Sequence, residues 1–366
     1  MITVYKPKLY TDEILENLRN VLDSGWVGLG PKVSEFESEI SKYLNVPYFS
    51  ALNSCTSALH LSIKLLNLNP GDKVLTTPIT FVSTNHVILY EKLEPIFCDV
   101  EKLTGNMDVS MAEYAIKKFD IKAIIVVHNG GYPVDLENFN FLSKKYNIPI
   151  IEDCAHAFGS KYDNKKIGDS DNLCAWSFQA VKNLCTGDGG GISTNNENFY
   201  KKINKLRWLG IDRDTITRSS GGYNWKYDVP ELGFKYHMCD IQATIGLVQL
   251  KHIDEDNKRR KQIANFYYSK IKNAIFPNYE SKRESSFWFA PIFVEDQTNV
   301  YNKLVNKQIF PSVHFLSNVN YKMYRNFSKI NNCKNSKWYE SHVLSLPLHL
   351  YLSNEDLNHI VDTFNN

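Results

Sequence analysis

The feature that most restricts the fold is an alternation. Short apolar runs at residues 73–77, 95–100, 122–128 and 148–151 are separated by stretches of helical periodicity at 82–90, 108–118 and 136–146. Near-continuous apolar runs belong to strands buried on both faces, and the helices between them supply the two covers. The pattern therefore predicts a mainly parallel sheet in an α/β domain. Runs at 173–178 and 191–194 extend the sheet, and further helices are expected at 10–23, 32–44, 56–66 and 197–206. Sheets of this kind bind ligands beyond the C-terminal ends of their strands. The polar residues that follow each run are thus the ones to inspect.

A chain of 366 residues is longer than one ordinary domain needs. A long helix at 240–265 leaves the first domain, and an α+β unit follows, with a strand near 288–294 and helices near 300–307 and 356–364. The division expected is a large domain over 1–250 and a small one over 251–366. The 42 basic and 40 acidic side chains nearly cancel, which gives no reason to expect nucleic acid as a partner. The seven cysteines are odd in number and include no CxxC pair, so a reducing compartment without a disulfide framework is expected. The opening MITVYKPKLY has no apolar signal segment, and every apolar run is too short to span a bilayer. A cytoplasmic location and no membrane partner follow as expectations.

The strongest local signal is WSFQAVKNLCTGDGGG at 176–191. Lys182 sits in a loop between two strand-like runs, and four glycines follow within nine residues. A lysine desolvated in such a loop is activated to form a Schiff base with an aldehyde, whereas an ordinary solvated surface lysine stays protonated; spacing alone leaves both readings open. In IIEDCAH at 150–156, Glu152 and Asp153 follow a strand and point to opposite sides of it. A carboxylate there pairs with a pyridinium nitrogen, or it caps a helix or forms an ordinary salt bridge. Asn53-Ser54-Cys55-Thr56-Ser57 opens a helix, where amides and hydroxyls hold a phosphate or simply cap the end. Ser177 is a further phosphate hydroxyl candidate. Phe81 lies over a planar ring or in the core. No metal-ligand spacing, Walker loop or GxSxG elbow is present.

Taken together these segments resemble the DegT/DnrJ/EryC1/StrS family of sugar aminotransferases, which depend on pyridoxal phosphate (PLP). The likeness runs from SGWVGLGPKVSEFE to VLSLPLHLYLS through ALNSCTSALHLS, PGDKVLTTPITFVSTNHVILY, IPIIEDCAHAFGS and LGFKYHMCDIQATIGLVQL, in order and in spacing. It implies PLP transferase fold type I, a large domain with a mainly parallel mixed sheet, and a smaller C-terminal α+β domain. It also implies a homodimer with shared active sites. By the same likeness Lys182 binds PLP, Asp153 contacts the pyridine nitrogen, His156 lies near the ring and its O3′, and Phe81 packs on the ring. Thr56, Ser57 and Ser177 hold the phosphate.

Several positions depart from the family pattern. Cys55 stands where glycine is usual, and it would be strained if the backbone there needs positive φ. Asp188 replaces a common glutamate. Lys235 replaces an asparagine that reaches the partner subunit's cofactor phosphate; it meets that phosphate as a cation or points at the substrate, with Asn224 then left for the cofactor. In the late HYxPLH-like segment His314 is kept and the second histidine is not. The activity implied is transfer of nitrogen from L-glutamate to a nucleotide-linked keto sugar. Lys235, Arg213 and Arg218 are candidate contacts for its diphosphate, and the two arginines read equally well as solvated surface charges. Deoxygenating relatives often carry histidine in place of the lysine, so Lys182 argues for nitrogen transfer over dehydration. A non-catalytic binding protein on the same fold is the third reading.

Overall fold

The structure is a computed structural model that describes residues 1–212 and 227–366. Two helices, α1 (Thr11–Ser24) and α2 (Pro31–Leu44), lead into the first strand, β1 (Tyr48–Leu52). There follow α3 (Cys55–Leu65), β2 (Lys73–Thr76), α4 (Ser83–Tyr90), β3 (Glu94–Phe97), α5 (Val109–Lys118), β4 (Ile121–Val127), α6 (Leu136–Tyr146) and β5 (Ile150–Asp153). Two short strands, β6 (Lys161–Tyr162) and β7 (Lys165–Lys166), precede β8 (Leu173–Ser177), β9 (Gly190–Thr194) and α7 (Glu197–Leu206).

The main sheet has the order β1-β9-β8-β5-β4-β2-β3. Strands β8, β5, β4, β2 and β3 are mutually parallel, and β9 runs antiparallel to both β8 and β1. The sheet is therefore mixed and mainly parallel, as the alternation predicted. Its strands are covered on both sides. Ile124 and Val126 of β4 join one core with Phe36, Phe139 and Trp176, while Ala123 and Ile125 join another with Leu59, Val87 and Ile203. Successive side chains of one strand thus enter opposite layers.

Strand β1 was not expected from the sequence. Its five residues, YFSAL, are too few and too mixed to carry a period, and it forms only because β9 is there to pair with it. The Arg207 guanidinium fixes this edge, donating to the Ala51 carbonyl at 2.8 Å and pairing with Glu37, which in turn accepts from the Ala51 amide at 2.8 Å.

Helix α8 (Asp240–Lys270) is longer than expected and passes unbroken through residues 250 and 251. At its start Asp240 acts for another helix. Its carboxylate accepts from the Gly30, Lys32 and Val33 amides at 2.9–3.0 Å, supplying α2 with the cap that Gly30 lacks. At its end Ile263, Ala264 and Tyr267 join a separate core with Ile292, Leu304, Ile309, Leu344 and Phe364. That core also draws on α9 (Gln297–Asn306) and α11 (Asn354–Asn365), and the N-terminal Ile2 packs against it. Helix α10 (Lys334–His342) lies between them in sequence and was not expected. Among the described residues no helix is long and apolar enough to cross a membrane.

Candidate active site

The C-terminal ends of β5 and β8 and the N-terminus of α3 surround a cavity of about 400 Å³, within the range of small-molecule sites. Six of the predicted residues line it: Thr56, Phe81, Asp153, His156, Ser177 and Lys182. Arg213, Arg218 and Asn224 lie outside the described residues.

Glu152 and Asp153 close β5 itself, and strand alternation splits the two acids as expected. Glu152 enters the far layer, where its carboxylate accepts from His128 Nε2 at 2.9 Å, Ser170 Oγ at 2.8 Å and Asn172 Nδ2 at 2.7 Å. Burial works to raise this carboxyl, but those three donors outweigh it and hold it below its usual range. His128 accepts from the Val134 amide through Nδ1. Cys154 lies beside this pair, but the His128 and Glu152 atoms are already committed, so the group is a satisfied buried network. Asp153 faces the cavity. Its carboxylate accepts from Thr84 Oγ1 at 2.7 Å and from the Ala155 amide at 3.1 Å. Burial raises its pKa, and Thr84, Ala155 and the Lys182 charge offset this only in part. A buried carboxylate of this kind gains from a cationic partner, which a protonated ring nitrogen supplies.

Lys182 stands in the loop after β8, partly exposed to the cavity. Burial pushes its pKa down to about 8, while Cys55 and Asp153 pull it upward. Among the described residues its Nζ has no hydrogen-bond or ion-pair acceptor; it lies 3.9 Å above the ring of Trp288. The same indole stacks face to face on His156 at 3.9 Å with an interplanar angle of 2°. His156 is buried, and among the described residues its Nδ1 has no hydrogen-bond partner. Burial, then the nearby Lys182, His314 and His128, hold its pKa well below the ordinary value, so the imidazole is neutral. His314 shares the wall. Its pKa is pushed down to about 3 by burial and the Lys182 charge, and its Nδ1 pairs with Ser345 Oγ at 2.9 Å.

The α3 end is a built N-terminus. Ser54 caps it by accepting from the Ser57 amide at 3.1 Å, and the Cys55 and Thr56 amides have no intrahelical acceptor. Close approach of β9 is what places this end at the cavity. A Cβ on Gly190 would lie 2.3 Å from the Ser54 carbonyl carbon, so only glycine fits there. Cys55 is the first residue of the helix and has no positive φ, so the strain considered from the sequence does not arise. Its Sγ lies 4.0 Å from Asp153 Oδ1, and burial pushes the thiol well up.

Two predicted residues do not line the cavity. The Ser57 hydroxyl donates to Asn53 Oδ1 at 2.6 Å, and Ser54 takes its place at the wall. Lys235 is exposed, with Nζ 3.5 Å above the Trp208 ring. Phe81 borders the cavity but is 60% exposed, so its ring is free to cover a planar ligand. Three residues went unnoticed in the sequence: Thr84, Trp288 and Tyr5, which stacks on Trp288 at 5.1 Å. Thr84 was visible in principle, one helical turn beyond Thr80 in the same segment. Nothing local to Tyr5 or Trp288 points to a site that forms from distant parts of the chain.

The donor set suits pyridoxal phosphate group by group: a low-pKa amine for the aldehyde, a buried carboxylate for the ring nitrogen, an exposed aromatic for the ring face and a capped helix end for the phosphate. Fold and site together define a PLP-dependent transferase of fold type I. Within that class the chain belongs to the DegT/DnrJ/EryC1/StrS aminotransferase family, whose model matches residues 9–365. It is 33% identical to UDP-4-amino-4,6-dideoxy-N-acetyl-beta-L-altrosamine transaminase of Campylobacter jejuni, over 91% of this chain and 89% of that protein. The solved sugar aminotransferase CalS13 of Micromonospora echinospora is 31% identical, with a TM-score of 0.89 over 100% of this chain and 99% of that one. A Streptococcus pneumoniae chain solved in its PLP form is 28% identical, with a TM-score of 0.90 over 100% of this chain and 98% of that one. The protein is a PLP-dependent sugar aminotransferase.

Proposed function

We propose that the enzyme transfers the amino group of L-glutamate to a nucleotide-linked keto sugar of the keto-deoxyhexose type. The observation that carries the reading is the buried Lys182 amine, with its pKa depressed to about 8, on the same cavity as the Asp153 carboxylate. The similarity to a transaminase named for a UDP-linked sugar supports the acceptor class.

When bound, pyridoxal phosphate supplies an aldehyde and a ring that accepts electrons. Lys182 would hold it covalently through Nζ, and Asp153 would keep a proton on the ring nitrogen. His156, neutral at working pH, would place its free nitrogen near the ring oxygen. Thr56, Ser177 and the first amides of α3 would bind the phosphate, and Phe81 would cover the ring. Once displaced, the Lys182 amine moves a proton at the α-carbon of the donor, and the reverse transfer serves the sugar. A pKa near 8 leaves roughly a tenth of this amine unprotonated at neutral pH, against well under a thousandth for an ordinary lysine, which suits it to that work.

We further propose a homodimer with shared sites and the large and small domains divided at 250/251. Lys235 supports the shared site. It is exposed and outside this chain's cavity, yet its backbone carbonyl accepts from Asn53, which leads into the phosphate helix. From there it would reach the partner's cofactor phosphate as a cation.

The test is incubation of the PLP-loaded enzyme with isotopically labelled L-glutamate and UDP-, dTDP- or GDP-linked keto sugars. The expected result is the label in one amino sugar, read by mass. Loss of water or oxygen from the sugar without gain of label would establish the dehydratase reading instead.

A further inference from the structure

Lys182 cannot stay bound to the cofactor throughout a transfer reaction, and the structure shows where the free amine rests. Its Nζ meets no carboxylate, carbonyl or hydroxyl among the described residues, and its close partner is the Trp288 indole at 3.9 Å. That indole is held from several sides. Its Nε1 donates to the carbonyl of Val181, the lysine's own neighbour, at 2.9 Å, and its backbone amide donates to the Gly130 carbonyl at 3.0 Å. His156 stacks on it at 3.9 Å and Tyr5 at 5.1 Å. Trp288 is also part of the partition between the cofactor cavity and a small polar chamber of about 20 Å³ behind Lys182; Tyr5, Val181, Lys182 and Trp288 border both spaces.

We propose that Trp288 is a positioning residue for the lysine: its indole face holds the Lys182 amine whenever that amine is detached from the cofactor, and so keeps it in place for proton transfer. The proposal rests on the reading that Lys182 binds the cofactor. A desolvated cation over an indole is favoured over one beside an apolar wall by roughly tenfold to thirtyfold. The side chain that fixes where the amine sits therefore also stabilises its protonated form. The other titratable groups around Lys182 are Cys55, Asp153, Asp188, His156 and His314 on the cofactor side, Lys6, Lys8, Cys185, Arg260 and His349 across the chamber, and Tyr5 between the two. All of these remain when Trp288 is exchanged, so a change in the titration isolates the indole.

The experiment compares wild type with Trp288→Met, which keeps apolar bulk without a ring, and Trp288→Phe, which keeps a weaker aromatic face. In the cofactor-free protein, acylation of Lys182 is followed by peptide mass as a function of pH. The half-point should fall by about one pH unit in Trp288→Met and by less in Trp288→Phe. In the loaded enzyme kcat should fall with little change in KM for the keto sugar. A half-point that stays or rises in Trp288→Met overturns the proposal. If that variant does not fold, an unshifted half-point in Trp288→Phe does so. Reduction of loaded wild type with borohydride separates the two levels. Cofactor fixed away from Lys182 sinks the underlying reading, whereas cofactor on Lys182 with unmoved Trp288 titrations sinks the role of the indole alone.

Discussion

Replacing Lys182 with methionine should stabilise the cofactor-free fold while abolishing turnover. The lysine's pKa falls from 10.5 to about 8 because folding buries its charge with too little compensation. At 1.36 kcal/mol per pH unit the full effect is about 3 kcal/mol, and partial exposure of the side chain reduces it to about 2–3 kcal/mol. The sign follows from proton uptake. Below about pH 8 the lysine is protonated in both states, and the folded state carries the whole penalty. Between about pH 8 and 10.5 the folded amine has lost its proton while the unfolded one still binds it, so stability rises with pH across that window. Above it the penalty is gone. Methionine keeps most of the side-chain volume and has no charge to bury. Urea unfolding of the cofactor-free proteins should therefore find Lys182→Met more stable than wild type at pH 7, with the two converging as pH approaches 10.5. A variant no more stable than wild type at pH 7 would refute the reasoning, as would a difference that does not shrink at high pH.

Other outcomes follow from particular contacts. Thr84→Val removes a donor from the buried Asp153 carboxylate; kcat should fall about tenfold, and Asp153→Ala should cost about 10²–10³-fold in steady-state assays. Glu152→Ala strands His128, Ser170 and Asn172 in the far layer. It should lower unfolding free energy by about 3–5 kcal/mol, yet leave the kcat of folded protein near wild type. Asp240→Ala takes the cap from α2 and should cost about 1–2 kcal/mol in urea titrations without altering cofactor absorbance. The rate at which cofactor-free enzyme captures PLP should climb with pH and level off near pH 8, the Lys182 value. A plateau at the ordinary histidine range would point to a different group.

How far the sequence could be read depends on how local each signal is. The parallel strands were legible because burial on both faces forces an apolar run into a few consecutive residues, as in Ile121–Val127. Asp153, His156 and Lys182 were legible because they fall at, or within a few residues of, the C-terminal end of such a strand. Strand β1 was not, since its pairing with β9 joins residues far apart in sequence and its own composition is mixed. The cap on α2 was hidden for the same reason: the carboxylate comes from Asp240, 207 to 210 residues away. Ser57 lies in the right segment, but Asn53 and Ser54 take up its hydroxyl. Trp288 lay inside a stretch that reads as an ordinary strand, and its position over Lys182 appears only once residues 106 apart in sequence have been brought together by the fold.

The central claim is that one buried amine carries the cofactor. Loading the enzyme with PLP, reducing it with borohydride and mapping the tagged peptide tests this directly. The account expects the tag on Lys182 and none in Lys182→Met; a tag on another lysine, or transfer that persists in Lys182→Met, would contradict it.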